Sequence, residues 1–384
     1  MKMRILYITS VLGGIGGSEI YCRDIITEMA RRGHDVCVVT TEPFEFSETN
    51  VEVFTIPVFG HHAFHKFTAP LFYGRVVKKA MQFRPDVIQS HSNSMMGWMG
   101  DRVAEKLKIP HVLLIEMISD KNTNIHTKTI HAFEKFLLPK LKYDKVVVWT
   151  ENMRNKFLLP WGIDEKRVEV IPAALNSSNY DLDAKGDGIR KKYGKNLIIT
   201  IKSLWSTNVL GLAYVVKAMK YVKQKYPGWR YLCVGPGDSS LLKKIAKEEG
   251  VEDVVMFPGS VTEQEKKELW AATDIAPHSF VYEFSTSISL LEYMAMGKAC
   301  VISDVGAVRE YVKDSALIVK AEDPRAMAKG IIRLIEDEKL REMLGKKARK
   351  LFLGQYSIES TVDRLEAIYE GRVHGRRNGQ SRKK

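Results

Sequence analysis

Two successive series of short apolar runs, each run separated from the next by an amphipathic stretch of helix length, constrain this chain more than any other feature. In the first half the runs are Arg4 to Ser10, Asp35 to Thr41, Asp86 to Gln89, His111 to Ile115 and Lys145 to Thr150. The second half repeats the pattern at Leu197 to Ile201, Tyr231 to Val234, Val254 to Phe257, Asp274 to Ala276, Ala299 to Ile302 and Leu317 to Val319. Continuous apolar runs of this length belong to strands buried on both faces, and the interposed helices make such strands parallel. The expected fold class is therefore α/β, with two doubly wound parallel-sheet domains. Between Ile171 and Asp187 a Pro, Ser, Asn and Asp-rich stretch replaces the apolar periodicity and reads as a link. It divides the chain into domains at 1–175 and 176–355.

Charge and cysteine usage narrow the partners and the compartment. No apolar run reaches bilayer length, and Met1 to Ser10 lacks a cleavage-site pattern, so it reads as a buried first strand. The four cysteines (Cys22, Cys37, Cys233, Cys300) have neither paired nor metal-type spacing, which points to reduced thiols in a cytoplasmic setting and to no metal site. Asp181-Leu182-Asp183 falls in the link, where a solvated loop is the better reading. The formal charge of +13 calls for an acidic partner: a nucleotide-sugar, an anionic lipid or a nucleic acid. Six of those charges lie in Gly371 to Lys384, and the tail 372–384 is expected to be disordered. Such a tail suits peripheral contact with an anionic membrane at the inner face, at about 1 kcal/mol per basic residue, although solubility explains it equally well. His61 to Arg84 interleaves basic and aromatic residues, either for a membrane interface and a lipid-linked acceptor or as an ordinary covering helix. No nucleic-acid motif is present, and nucleic acid is not expected.

The chemistry concentrates at the ends of the runs, where ligands of open α/β sheets bind. The first run leads into Gly13-Gly14-Ile15-Gly16-Gly17, followed by a helix from about Ser18 to Arg32. Unpaired amides at a helix N-terminus favour phosphate. A nicotinamide or flavin fingerprint fails here, because the third residue after Gly16 is Glu19. Farther on, Glu283-Phe284-Ser285-Thr286-Ser287 supplies a carboxylate and three hydroxyls before a helix that carries Glu292 and stops at Gly297. Carboxylates there suit sugar hydroxyls, whereas each taken singly is an ordinary loop or ion-paired residue.

Together, Glu283, Glu292, the helix Glu-Tyr-Met-Ala-Met-Gly-Lys and the turn Asp-Val-Gly-Ala-Val-Arg-Glu resemble the retaining glycosyltransferases of family 4 over nearly the whole chain. The resemblance implies a GT-B fold, two Rossmann-like domains facing across a cleft, with a C-terminal helix (356–371) packing back on the first. It implies that Glu283 approaches the donor hexose and Glu292 the nucleotide ribose. Gly16 or Gly17, with Ser285, Thr286 and Ser287, would meet the diphosphate. His91, after Asp86-Val87-Ile88-Gln89-Ser90, takes the place of a family histidine that would orient a hydroxyl. Three departures stand out. Eight residues, not seven, separate Glu283 from Glu292, so Phe284 holds the expected spacing. Glu116 replaces a histidine facing the donor sugar, where it would act as a base or a hydroxyl ligand. The Arg and Lys that neutralise the diphosphate align with Ser203 and Leu210, leaving Lys202, or Lys298, to supply charge.

The implied function is retaining transfer of a hexose from a UDP- or GDP-sugar to a hydroxyl of a glycan or lipid-linked acceptor. No cofactor beyond the nucleotide-sugar substrate is expected. The alternative is a non-catalytic, sugar-nucleotide or glycan-binding partner subunit of the same fold.

Overall fold

The computed structural model describes the chain except residues 11, 14–16, 58–67, 92–94, 119–124, 282–286 and 382–384, and describes only the backbone of 125–127, 206–207 and 376–381. It separates into two compact units: Met1–Leu175 with Ile358–Lys384, and Asn176–Ser357.

The first unit is built on seven strands: β1 (Arg4–Thr9), β2 (Asp35–Thr40), β3 (Val51–Thr55), β4 (Val87–His91), β5 (His111–Ile115), β6 (Lys145–Val148) and β7 (Val168–Val170). Their order is β3-β2-β1-β4-β5-β6-β7, and every pairing is parallel. Strands β4 and β5 are buried at every position, as continuous apolar runs require. The sequence reading missed β3 and β7. Both are edge strands, β3 half-exposed and β7 only three residues long, so neither is apolar throughout.

Helix Gly17–Arg31 covers one face with Tyr21, Cys22, Ile25, Ile26 and Met29. Helix Met95–Leu107 covers the other, and its Met99 and Val103 join Leu6, Ile8, Val39 and Ile88 in a buried cluster. On that second face a wholly buried polar chain ties helix to sheet. The Ser90 hydroxyl lies 2.6 Å from His111 Nε2, and Asp101 lies 3.8 Å from His111 Nδ1. Asp101 is further fixed by the Lys142 amide and the Arg102 guanidinium, each at 2.6 Å, whereas His111 Nδ1 meets no hydrogen-bond partner among the described residues.

The helix beginning at Ile358 belongs to this first unit. Arg32 donates to Glu366 at 2.7 Å, and His34 Nε2 lies 2.6 Å from the same carboxylate. Here the structure corrects the expectation of a disordered tail from 372: the helix runs through Gly371 to Ser381. No proline interrupts it, and its Arg and Gln residues are good helix formers that offset the glycines at 371, 375 and 379.

The second unit carries β8 (Asn196–Ile201), β9 (Trp229–Val234), β10 (Val255–Gly259), β11 (Ile275–His278), β12 (Ala299–Ser303) and β13 (Leu317–Val319), all parallel, in the order β10-β9-β8-β11-β12-β13. Helices Ser206–Lys225 and Pro324–Glu336 pack Val215, Met219, Ile331 and Leu334 with Ile198, Tyr231 and Val301 of the sheet.

Candidate functional site

In each sheet the winding reverses once, and such switch points are where open α/β sheets take ligands. In the second unit the reversal lies between β8 and β11. Lys202 follows β8 directly, its amide still laddered to Val234 O at 2.8 Å, and His278 is the last residue of β11. The Lys202 ammonium stands 4.2 Å from the centre of the Phe280 ring, and burial pushes its pKa down to about 8. Phe280 is pinned because its amide donates to Ser303 Oγ at 2.6 Å.

His278 is buried between Phe280, stacked at 6.1 Å, and the edge of Tyr293 at 5.3 Å, and neither ring nitrogen meets a hydrogen-bond partner among the described residues. The sequence reading passed over it as a strand terminus. Its position at the carboxyl end of an apolar strand was the available signal. Burial, with help from the Lys202 charge, lowers the His278 pKa from 6.5 to about 3, so the imidazole is neutral in the folded protein.

A depressed folded pKa leaves stability intact above 6.5 and erodes it as pH falls from there towards 3. At about 1.4 kcal/mol per unit, the loss through this residue is about 2 kcal/mol at about pH 5. His278→Phe should therefore lose that much less stability than the parent between neutral pH and pH 5 in urea titrations. Equal losses in the two proteins would remove His278 as the source. Buried His111, whose pKa is also lowered, adds to the acid sensitivity of both proteins alike.

Glu292 sits on helix Ile288–Ala295, which Gly297 ends at φ +62, with its amide on Met294 O and the Lys298 amide on Tyr293 O. The carboxylate is buried and accepts from Lys266 Nζ at 2.9 Å; burial raises its pKa against the pull of that lysine. Ser287 is the N-cap, but its side chain turns to Ser289 Oγ at 3.0 Å and leaves the helix uncapped. Ser203 presents its carbonyl to Asn208 Nδ2 at 2.8 Å. Glu283, Ser285 and Thr286 lie outside the described residues. Lys298 is a correction. It precedes β12, on the amino-terminal edge of the sheet, and donates to Ala271 O at 2.8 Å, so nearness in sequence to Glu292 does not bring it to Lys202.

In the first unit the reversal lies between β1 and β4. Gly17 opens the helix there, and Gly16 lies outside the described residues. The Gly13 amide donates to Glu42 Oε2 at 2.8 Å, which gives Glu42 a loop-holding role. His91 is the last residue of β4 rather than a loop residue, and it is buried. Its Nδ1 faces the sulfur of Cys22 and its Nε2 lies 3.2 Å from Glu116 Oε2, a close ion pair without the alignment of a hydrogen bond. Burial opposes charge on the imidazole, but Cys22 and Glu116 outweigh it and hold the His91 pKa well above its ordinary value. Glu116 is the counterpart: burial is overcome by His91 and by Ser18, and its pKa is lowered. Cys22 is the member that sequence reasoning missed. It stands 69 positions from His91, and only the adjacency of β1 and β4 joins them.

In the second unit, the desolvated Lys202 at the switch point and the buried Glu292 carboxylate on the helix after β11 suit a ligand that combines phosphates with hydroxyls. Residues 186–351 match the family described as Glycosyl transferases group 1, and residues 15–178 match Glycosyltransferase Family 4. An uncharacterised glycosyltransferase of Methanocaldococcus jannaschii is 24% identical over 382 residues, covering 93% of this chain and 94% of that one. Among solved structures, sucrose-phosphate synthase of Thermosynechococcus elongatus superposes with a TM-score of 0.80 at 18% identity, covering 96% and 98% of the two chains. Anabaena HepE in complex with UDP gives 0.79 at 18%, covering 96% and 100%. The fold is that of the GT-B glycosyltransferases. The chain belongs to glycosyltransferase family 4.

Proposed function

We propose that this protein transfers a hexose from a UDP- or GDP-sugar to a hydroxyl of a glycan or lipid-linked acceptor, with retention at the anomeric carbon. The observation that carries the reading is the desolvated Lys202 at the β8/β11 switch point, in the half that matches the group 1 transferases. A cation held short of water there is suited to the diphosphate, whose charge grows as the C1–O bond breaks and the leaving oxygen keeps the electron pair. Glu292 would hold the ribose, Glu283 the hexose, and the amides at Gly16, Gly17 and 285–287 the phosphates. Ser203 would add its backbone. In the first unit Glu116, oriented by His91, would take the acceptor proton as the acceptor oxygen bonds to C1. Protein groups rather than a metal carry the diphosphate in this scheme. The UDP-bound neighbour supports a uridine nucleotide.

Among the described residues no helix is long and apolar enough to cross a membrane. Peripheral contact would use Arg75, Lys78, exposed Met81 and Arg84 around helix Tyr73–Phe83. The test is a panel of UDP-, GDP- and ADP-sugars with glycan and lipid-linked acceptors, followed by nucleotide release. One donor should release its nucleotide in an acceptor-dependent way, and Glu283→Ala should abolish it. Thermal stabilisation by a donor without release under any acceptor would overturn the transferase reading.

A further inference from the structure

Resting on the assignment of Glu116 to the transferase site, we propose that Cys22 is a positioning residue: its sulfur fixes the imidazole of His91, which in turn sets the orientation and charge of Glu116. Three polar side chains from two strands converge on that fully buried sulfur. Tyr7 Oη on β1 lies at 3.7 Å, Thr9 Oγ1 at the end of β1 at 3.8 Å, and His91 Nδ1 at the end of β4 at 2.5 Å.

The opposite ring nitrogen of His91 faces Glu116. With a proton on each ring nitrogen, Nδ1–H meets the sulfur and Nε2–H faces the Glu116 oxygen 3.2 Å away, so the ring has one orientation with its charge towards the carboxylate. The edge of Tyr21 packs on the ring at 6.1 Å, and Trp149 backs Tyr21 at 5.1 Å. Among the described residues, the titratable or charged groups facing His91 are thus Cys22 and Tyr21 from the first helix and Glu116 after β5, with Tyr7 from β1 behind the sulfur; Arg364 and Tyr369 of the last helix act on Tyr21 from farther out. The chain runs outward from the buried thiol to a carboxylate whose side chain retains 22% exposure. A sulfur that only filled space would need none of these polar neighbours.

Losing the acceptor for Nδ1–H favours the neutral imidazole, so the His91 pKa falls. Glu116 then loses its cationic partner at lower pH. In the full-length protein, 15N-histidine NMR with His91 assigned by its absence in His91→Gln should show His91 titrating above the usual imidazole range. Cys22→Ser, which keeps an acceptor, should preserve that. Cys22→Ala and the bulkier Cys22→Val should each lower it by about one pH unit, the tenfold associated with one lost hydrogen bond of this kind. In transfer assays the same two variants should lower kcat about tenfold with the donor KM unchanged, and should move the alkaline limb of kcat/KM down by the same unit. An unmoved His91 titration in either folded variant overturns the proposal. A shifted titration in a protein that transfers no sugar supports the relay and defeats the transferase reading, so the two failures are distinct.

Discussion

Lys202→Met is expected to lower kcat/KM for the nucleotide-sugar by on the order of a hundredfold or more while leaving the second unit at least as stable as before. Removing one preorganised group from developing charge typically costs about 10²–10³ in rate. The stability side has the opposite sign, because burial already holds this ammonium down to about 8 and an isosteric thioether has no charge to desolvate. The cation–ring contact with Phe280 is lost, but the methionine can still lie on that ring. Urea midpoints and donor kinetics on the same preparations check both halves. Unchanged turnover would remove Lys202 from the reaction, and a parallel loss of stability and turnover would make it a structural residue. The parent should also bind donor more weakly as pH rises through about 8, because neutral Lys202 must then take up a proton to meet the diphosphate.

Gly211→Ala should instead destabilise the fold. A Cβ built on Gly211 would lie 2.2 Å from the carbonyl oxygen of Ser279 and 3.5 Å from Phe280 Cα. Helix Ser206–Lys225 therefore rests backbone to backbone on the segment that leaves β11, and no side-chain rotation relieves the clash. The helix or the strand end must move by more than an ångström. The cost should reach or exceed the upper end of ordinary overpacking, about 3 kcal/mol. The displacement would reach Phe280 and the His278 stack, so donor binding should fall with stability. Gly354→Ala, late in helix Glu338–Gln355 with nothing near its added carbon, is the control; it should be neutral or stabilising by about 0.5–1 kcal/mol. Equal urea midpoints for Gly211→Ala and the parent would show that the close approach is not real.

The central strands were legible because burial on both faces writes an uninterrupted apolar run, whereas β3 and β7 are covered on fewer sides and leave no such trace. The strand ends were legible for the same reason: Lys202, His91 and Glu116, the residues proposed for the site, each stand just where a run stops. What reaches them across the sheet was not. Cys22 reads as one more apolar residue of a helix face, and His278 as a strand terminus, until strand order brings each beside its neighbour. The Lys298 expectation failed because a parallel sheet has two edges, and the five residues of β12 separate Lys298 from the ligand-facing rim. The continuation of the last helix past Gly371 escaped notice because a basic, apolar-poor sequence does not by itself decide between coil and helix.

The return of residues 358 onward to the unit made by 1–175 bears on how the protein is assembled during synthesis. The second unit is contiguous and can close as soon as it leaves the ribosome. The first unit emerges earlier, yet it waits for Glu366 to meet Arg32 and His34 until some two hundred further residues have been added. Domains generally fold as units in the order they are made; here the half translated first is the half completed last. A fragment cut at Leu175 would be an unfinished domain rather than an isolated one.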